Sequence, residues 1–247
     1  MGDAVRKEKP IITPDETLNF IHPTEYPLKK ALLAFMPVRG MNDLFCGETA
    51  TKHPLIQYGH YTGYWSRADG TIFVGPIFGG PLCSMVLEEL SVFGVRDVVG
   101  YGYSGSLDVN IPPGSIMIAE SGLCSDGTSK EYTDDSEVYA DAEMFRSLKS
   151  LIQSQGIEPE VGKVWTADAI YREFPSKIAH WKSQGARFVN LETASFYAVA
   201  REKGIRAVYM SVVSDNVDSD KWSHWFPNLS EVTEKMWSIC LEMIDAL

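Results

Sequence analysis

Residues 75–107 read GPIFGGPLCSMVLEELSVFGVRDVVGYGYSGSL. An apolar run, Thr71–Pro76, leads into this stretch, and a second, Asp97–Tyr101, lies near its end. Between them Pro81–Phe93 sets Leu82, Met85, Val86, Leu90 and Phe93 on one side of a helical period. The stretch therefore reads as strand, helix, strand, with Gly79-Gly80 at the first junction and Gly102-Tyr103-Ser104-Gly105 after the second strand. The same alternation continues outward. Strands are predicted at Ala31–Met36, Ser115–Ala119, Arg187–Leu191 and Ala207–Val213. Helices are predicted at Val138–Gln155, stopped by Gly156, and at Glu192–Lys203, stopped by Gly204. A last helix, Leu229–Leu247, lines up Val232, Met236, Ile239, Cys240 and Met243. Strands alternating with helices predict an α/β fold built on a largely parallel or mixed sheet. Residues 1–30, punctuated by Pro10, Pro14, Pro23 and Pro27, read as an N-terminal arm. No repeat or composition break divides residues 31–247, which read as one domain.

Composition narrows the function. The 247 residues carry 33 acidic and 22 basic side chains, a net charge of −11, with no Lys/Arg run. That excludes a nucleic-acid binder, which needs a basic stripe to displace counterions, and disfavours attraction to anionic membranes. Any anionic ligand must find its positive charge locally. Apolar content of 45% with 22% charged residues is that of a globular chain rather than a disordered one. The polar N-terminus lacks a secretory pattern, and no run reaches the ~20 apolar residues of a membrane span. Cys46, Cys83, Cys124 and Cys240 are scattered without metal-ligand spacing, so a cytoplasmic protein with reduced thiols and no metal or other cofactor is expected.

In open α/β sheets ligands gather beyond the carboxyl ends of strands. Five segments there carry candidate chemistry. Gly79-Gly80-Pro81 opens a helix whose free N–H groups suit an anion, or simply makes a tight turn with Pro at the first helical position. Ser104, bracketed by glycines, offers a hydroxyl for phosphate or sugar, or again sits in a plain turn. Arg39 can pair an oxyanion or be an ordinary surface arginine. Glu192 can accept two vicinal hydroxyls, as in a ribose, or complement a helix dipole. Asp215, after a very apolar run, can act as a general acid or as a cap.

Taken in order along the chain, these segments resemble the nucleoside phosphorylase family, the branch with purine nucleoside and uridine phosphorylases. The similarity extends from about Ala31 to Asp215 and is carried by the stretch quoted above, by IPPGSIMIAESGLCSDGTSKEY, by VWTADAIYRE and by NLETASFYAVAREKGIRAVYMSVVSD. Thr166–Glu173 is most similar to a uridine phosphorylase-like branch. The resemblance implies a single α/β domain whose mixed sheet is partly closed as a barrel and flanked by helices. It also implies a homo-oligomer (dimer, trimer or hexamer) that transfers the pentose of a nucleoside to inorganic phosphate, without a cofactor. By position, Glu192 matches the ribose clamp, Leu191 replaces the usual Met under the sugar, and Asp215 matches the acid that meets the leaving base. Ile170, Tyr171 and Arg172 fall in the base pocket. Arg39, Gly79, Gly80, Ser104 and Gly105 fall at the phosphate and sugar, and His22 corresponds to a histidine lent by a neighbouring subunit.

Several positions depart from the family pattern. Gly100 stands where a phosphate-site arginine is usual, although the similar branch often shares that glycine. Tyr103 replaces a small hydroxyl residue, Asn190 replaces the first acid of the Glu-Met-Glu signature, and Ile170 replaces a stacking aromatic. Water in place of phosphate is therefore the second expectation, for which Gly100 speaks and the cation Arg39, in a stretch without an acid, speaks against. A non-catalytic nucleoside binder is the third. Asp215 leans to a purine or modified nucleoside, whereas the Tyr171-Arg172-Glu173 string leans to a pyrimidine. The aromatic segment Trp222–Phe226 reads as a lid or as packing against the last helix or another subunit.

Overall fold

Strand β1, Lys30–Phe35, shows how the sequence builds the sheet. Its residues alternate strictly: Ala31, Leu33 and Phe35 enter one apolar cluster and Leu32 and Ala34 another. Both faces are therefore covered, which is why the strand is apolar without interruption. The structure is a computed structural model and describes residues 10–18, 28–36, 51–52, 63–218, 221–224 and 229–247.

The described strands are β1, β2 (Thr51–Lys52), β3 (Gly63–Ser66), β4 (Thr71–Gly75), β5 (Asp97–Ser106), β6 (Ile116–Cys124), β7 (Glu137–Tyr139), β8 (Glu160–Thr166), β9 (Ala186–Asn190), β10 (Arg206–Asp218) and β11 (Lys221–His224). The helices are α1 (Pro14–Leu18), α2 (Gly79–Val92), α3 (Gly127–Tyr132), α4 (Ala142–Ser154), α5 (Pro175–Ser183), α6 (Thr193–Glu202) and α7 (Leu229–Asp245). One mixed sheet holds all the described strands in the order β11-β10-β6-β8-β9-β5-β1-β4-β3-β2, with β7 on β6. A further pairing of β10 with β5 closes β10, β6, β8, β9 and β5 into a ring, so the sheet is partly a barrel. Strands β1 to β4 continue outward from it. Helices α2 and α6 cover one face, and α4 and α7 the other. This is the single-domain, mixed α/β architecture expected. Among the described residues no helix is long and apolar enough to cross a membrane. Cys83, Cys124 and Cys240 are free and buried, while Cys46 lies outside the described residues.

Several elements differ from expectation for identifiable reasons. The helix expected from Val138 begins only at Ala142, because Asp141 caps it, accepting from the N–H groups of Glu143 and Met144 at 3.1 and 2.9 Å. Val138 instead pairs opposite Gly122 in the sheet. Helix α2 begins at Gly79, which takes φ of 73°, so Pro81 sits within the first turn rather than at its first position. There its missing N–H still costs nothing. Strand β5 continues through Gly102-Tyr103-Ser104-Gly105 to Ser106, so this is strand and not a turn. Its glycines yield room to rings: a side chain at Gly100 would meet Tyr209, Phe35 and Phe196 at 2.9, 3.1 and 3.2 Å. Strand β10 likewise runs past Val213 to Asp218, with a bulge between Val213 and Asp215. Strand β8 and helices α3 and α5 were not expected. Lys163 and Gly162 break the apolar pattern of β8, and only Ile178 of α5 is buried.

Candidate active site

The ends of β1, β5, β9 and β10 enclose a cavity of about 190 Å³. Its walls carry three carboxylates, Glu173, Glu192 and Asp215, among apolar residues that include Phe35, Ile170, Leu191 and Val217.

Glu192 stands at the N-terminus of α6, almost fully buried at 4% exposure. Its Oε1 accepts the backbone N–H of Gly79 at 2.9 Å, and its Oε2 accepts that of Leu191 at 3.1 Å. Burial pushes its carboxyl up to about 7, against the pull of those two hydrogen bonds and with a further push from Asp126. Asn190 explains its own departure from the family pattern. Its Oδ1 accepts from the N–H groups of Glu192 and Thr193 at 3.2 and 3.1 Å, so it caps α6 instead of supplying a charge. The Asn190 amide also donates to Thr193 Oγ1 at 2.7 Å and to Ser104 Oγ at 3.4 Å.

Asp215 lies beside Gly105 in the β10–β5 register. Gly105 is tight there: an added Cβ would approach Val217, Val189 and Asp215 Oδ2 at 3.0, 3.1 and 3.4 Å. Asp215 Oδ1 accepts from the Ser214 hydroxyl, and Oδ2 accepts from the Trp222 indole N–H at 2.8 Å. Trp222 comes from β11, which pairs antiparallel with β10 through Asp215↔His224. Part of the aromatic segment is therefore a hairpin strand holding the acid, while Trp225 and Phe226 lie outside the described residues.

Glu173 is a third acid of the cavity, one that the strand-end pattern does not single out. It follows a 3-10 turn, Ile170–Arg172, and its carboxyl is pushed up to about 7 by burial first and by the charge of Asp215 second. No apolar strand precedes it to mark it as a strand-end acid. Its only signal was its place in the Tyr171-Arg172-Glu173 string.

The other expected residues divide. Ile170, Leu191, Ser104 and Gly105 line the cavity with Glu192 and Asp215. Tyr171 does not; its side chain is 93% exposed. Arg172 also turns away and lines a separate cavity, because residues three apart share one side of a 3-10 turn, as Ile170 and Glu173 do, and the two between them face elsewhere. Ser104 is buried and accepts from Ser211 Oγ at 2.9 Å, and the N–H of Gly79 is taken by Glu192. Gly80 packs against Ser195 and Thr128. These hydrogen bonds place the described half of the expected phosphate cradle inside the protein's own network. Arg39 and His22 lie outside the described residues.

Comparison with known proteins agrees with this architecture. Residues 32–240 match the model of the Phosphorylase superfamily, and the chain belongs to that superfamily. An uncharacterized protein of Acanthamoeba polyphaga mimivirus is 31% identical over 176 residues, covering 71% of this chain and 67% of that one. A DeoD-type purine nucleoside phosphorylase of Caldanaerobacter subterraneus subsp. tengcongensis is 31% identical over 161 residues, 64% of this chain and 68% of its own. In fold, the chain is similar to the AMP nucleosidase of Bacteroides thetaiotaomicron, with a TM-score of 0.68, 18% identity and 88% of each chain covered.

Proposed function

We propose that the protein cleaves the N-glycosidic bond of a purine nucleoside and transfers the pentose to inorganic phosphate. The observation that carries this reading is one small cavity holding a buried ribose-type acid, Glu192, together with a pair of acids, Glu173 and Asp215. As the bond breaks, the sugar gains positive charge and the base negative charge. Glu192 accepts hydrogen bonds from the ribose hydroxyls and steadies the oxocarbenium-like sugar. Glu173, whose carboxyl retains its proton up to about 7, supplies a hydrogen bond or proton to the departing base, and Asp215 keeps that proton in place by its charge. Asp215, held by Ser214 and Trp222, lines the same cavity and in this reading meets a ring nitrogen of the purine.

Phosphate as acceptor is supported by the purine nucleoside phosphorylases among the relatives and by the cation Arg39. A homo-oligomer, with His22 reaching a neighbouring site, and a cytoplasmic location belong to the same reading. Hydrolysis is the second reading. It is favoured by the rings packed around Gly100, where a phosphate-site arginine is usual, and by the engagement of the Gly79 N–H. Product analysis decides between them. Incubation of purine and pyrimidine nucleosides with phosphate is expected to yield free purine and pentose 1-phosphate; free pentose as the sugar product would establish the hydrolytic reading instead.

A further inference from the structure

Behind the turn that carries Ile170 and Glu173 lies a separate cavity of about 390 Å³. It is lined by three cations, Lys130, Arg172 and Lys177, and by one carboxylate, Asp168, whose Oδ2 already accepts the Gly127 N–H at 3.1 Å. Such a cluster runs against a chain of net charge −11. Elsewhere basic side chains meet acids: Arg187 pairs with Glu160, Arg201 with Asp135, Lys203 with Glu88 and Arg206 with Asp97. Arg172 and Lys177 form no ion pair among the described residues. Both stand over the ring of Phe174 instead, 4.6 and 5.9 Å from its centroid. Trp165 and Trp181 also border the cavity, stacked with centroids 6.0 Å apart and planes 17° apart; Trp165 is buried at 2% exposure, and Trp181 is the partly exposed member of the pair. The Trp165 indole N–H is satisfied by Ser125 Oγ at 2.8 Å, so that ring is fixed in place.

We propose that this cavity binds a nucleotide, its base against Trp181, which Trp165 backs from the core, and its phosphate on Arg172 and Lys177. A guanidinium fork and an ammonium group are the usual partners of a phosphate, and aromatic faces take bases of any sequence. A cavity of this volume accommodates a small organic ligand rather than a bare ion. The site is distinct from the nucleoside cavity and does not depend on what reaction occurs there.

The test is a titration with AMP, followed by tryptophan fluorescence and by calorimetry, with inorganic phosphate and adenosine in parallel. Saturable AMP binding is expected, weakened about tenfold or more by Lys177→Glu and less by Lys177→Gln, a loss in the range of one charge-assisted contact. Lys177 is exposed and does not line the nucleoside cavity, so basal turnover is expected to persist in both variants. Glu192→Ala, which removes the ribose contact of the nucleoside cavity, is expected to leave this AMP binding intact and to weaken that of adenosine. AMP binding that survives Lys177→Glu unchanged but is lost in Glu192→Ala overturns the proposal, because the nucleotide then occupies the nucleoside cavity. Absence of saturable AMP binding overturns it too. Phosphate binding as tight as AMP overturns the nucleotide assignment and leaves a site for free anions.

Discussion

Glu192 is a carboxylate caught between two demands. Two backbone N–H groups favour its charge, while near-complete burial opposes it, and burial wins, leaving a carboxyl that titrates near 7. Glu173 titrates in the same range. In the proposed reaction Glu192 works ionised and Glu173 works protonated, so activity is expected to rise and then fall with pH, with its maximum near neutrality. In Glu173→Gln the alkaline fall of the profile is expected to disappear and kcat to drop roughly a hundredfold; a profile unchanged in shape would remove Glu173 from the chemistry. Glu192→Ala is expected to cost roughly a hundredfold in kcat/KM on ribonucleosides and clearly less on 2′-deoxyribonucleosides, since one of the two hydroxyl contacts is absent there. Equal losses on both would contradict the ribose assignment. Glu192 and Asp215 were legible in the sequence because each closes an apolar run. Glu173 was hidden because it follows an exposed 3-10 turn, and only the fold brings it beside Asp215.

At the scale of elements, the site depends on how closely α6 approaches the barrel. A Cβ at Gly122 in β6 would lie 2.6 Å from both the Cα and N of Ala194, in the first turn of α6, so backbone must move to admit it. Gly122→Ala is expected to destabilise the fold by about 1–3 kcal/mol and to lower activity by displacing Glu192, both checked by denaturant unfolding and steady-state kinetics. Helix α2 carries a different burden in Glu89, which is 6% exposed and whose Oε2 has no hydrogen-bond partner among the described residues. Burial pushes its carboxyl up to about 7 from an ordinary value of 4.5. Between those two values the native state holds a proton that the unfolded chain releases, so stability falls as pH rises across that window. Replacing Glu89 by Gln is expected to leave Tm at pH 4 nearly unchanged and to raise stability at pH 8 by on the order of 1–3 kcal/mol. An equal effect at both pH values would mean that the side chain acts by packing alone. The glycines of β5 show where elements misled. Gly-x-Gly after an apolar run reads as a turn, yet Tyr209, Phe35 and Phe196 need the space that Gly100 and Gly102 leave, so the strand continues.

The whole molecule unites a closed ring of five strands with an outward sheet, and the candidate cavity opens where β1 and the ring meet. The alternation of apolar runs and helical periods made this α/β class legible from sequence. The closure of the ring was not, since the β10–β5 and β5–β9 pairings join segments far apart in the chain, and β5 reaches β9 only through Gly105 and Ser106, past its apolar run. Charge is where the whole-molecule view bears on function. A chain at −11 must hold phosphate with local cations, and the described cradle has already committed Gly79 and Ser104 to internal hydrogen bonds. Phosphate dependence is thus the sharpest test of the proposed activity. The measurement is the initial rate of base release from a purine ribonucleoside as inorganic phosphate is titrated from zero. The expected result is a rate that rises from near zero and saturates with phosphate; base release at full rate in its absence would contradict the phosphorylase.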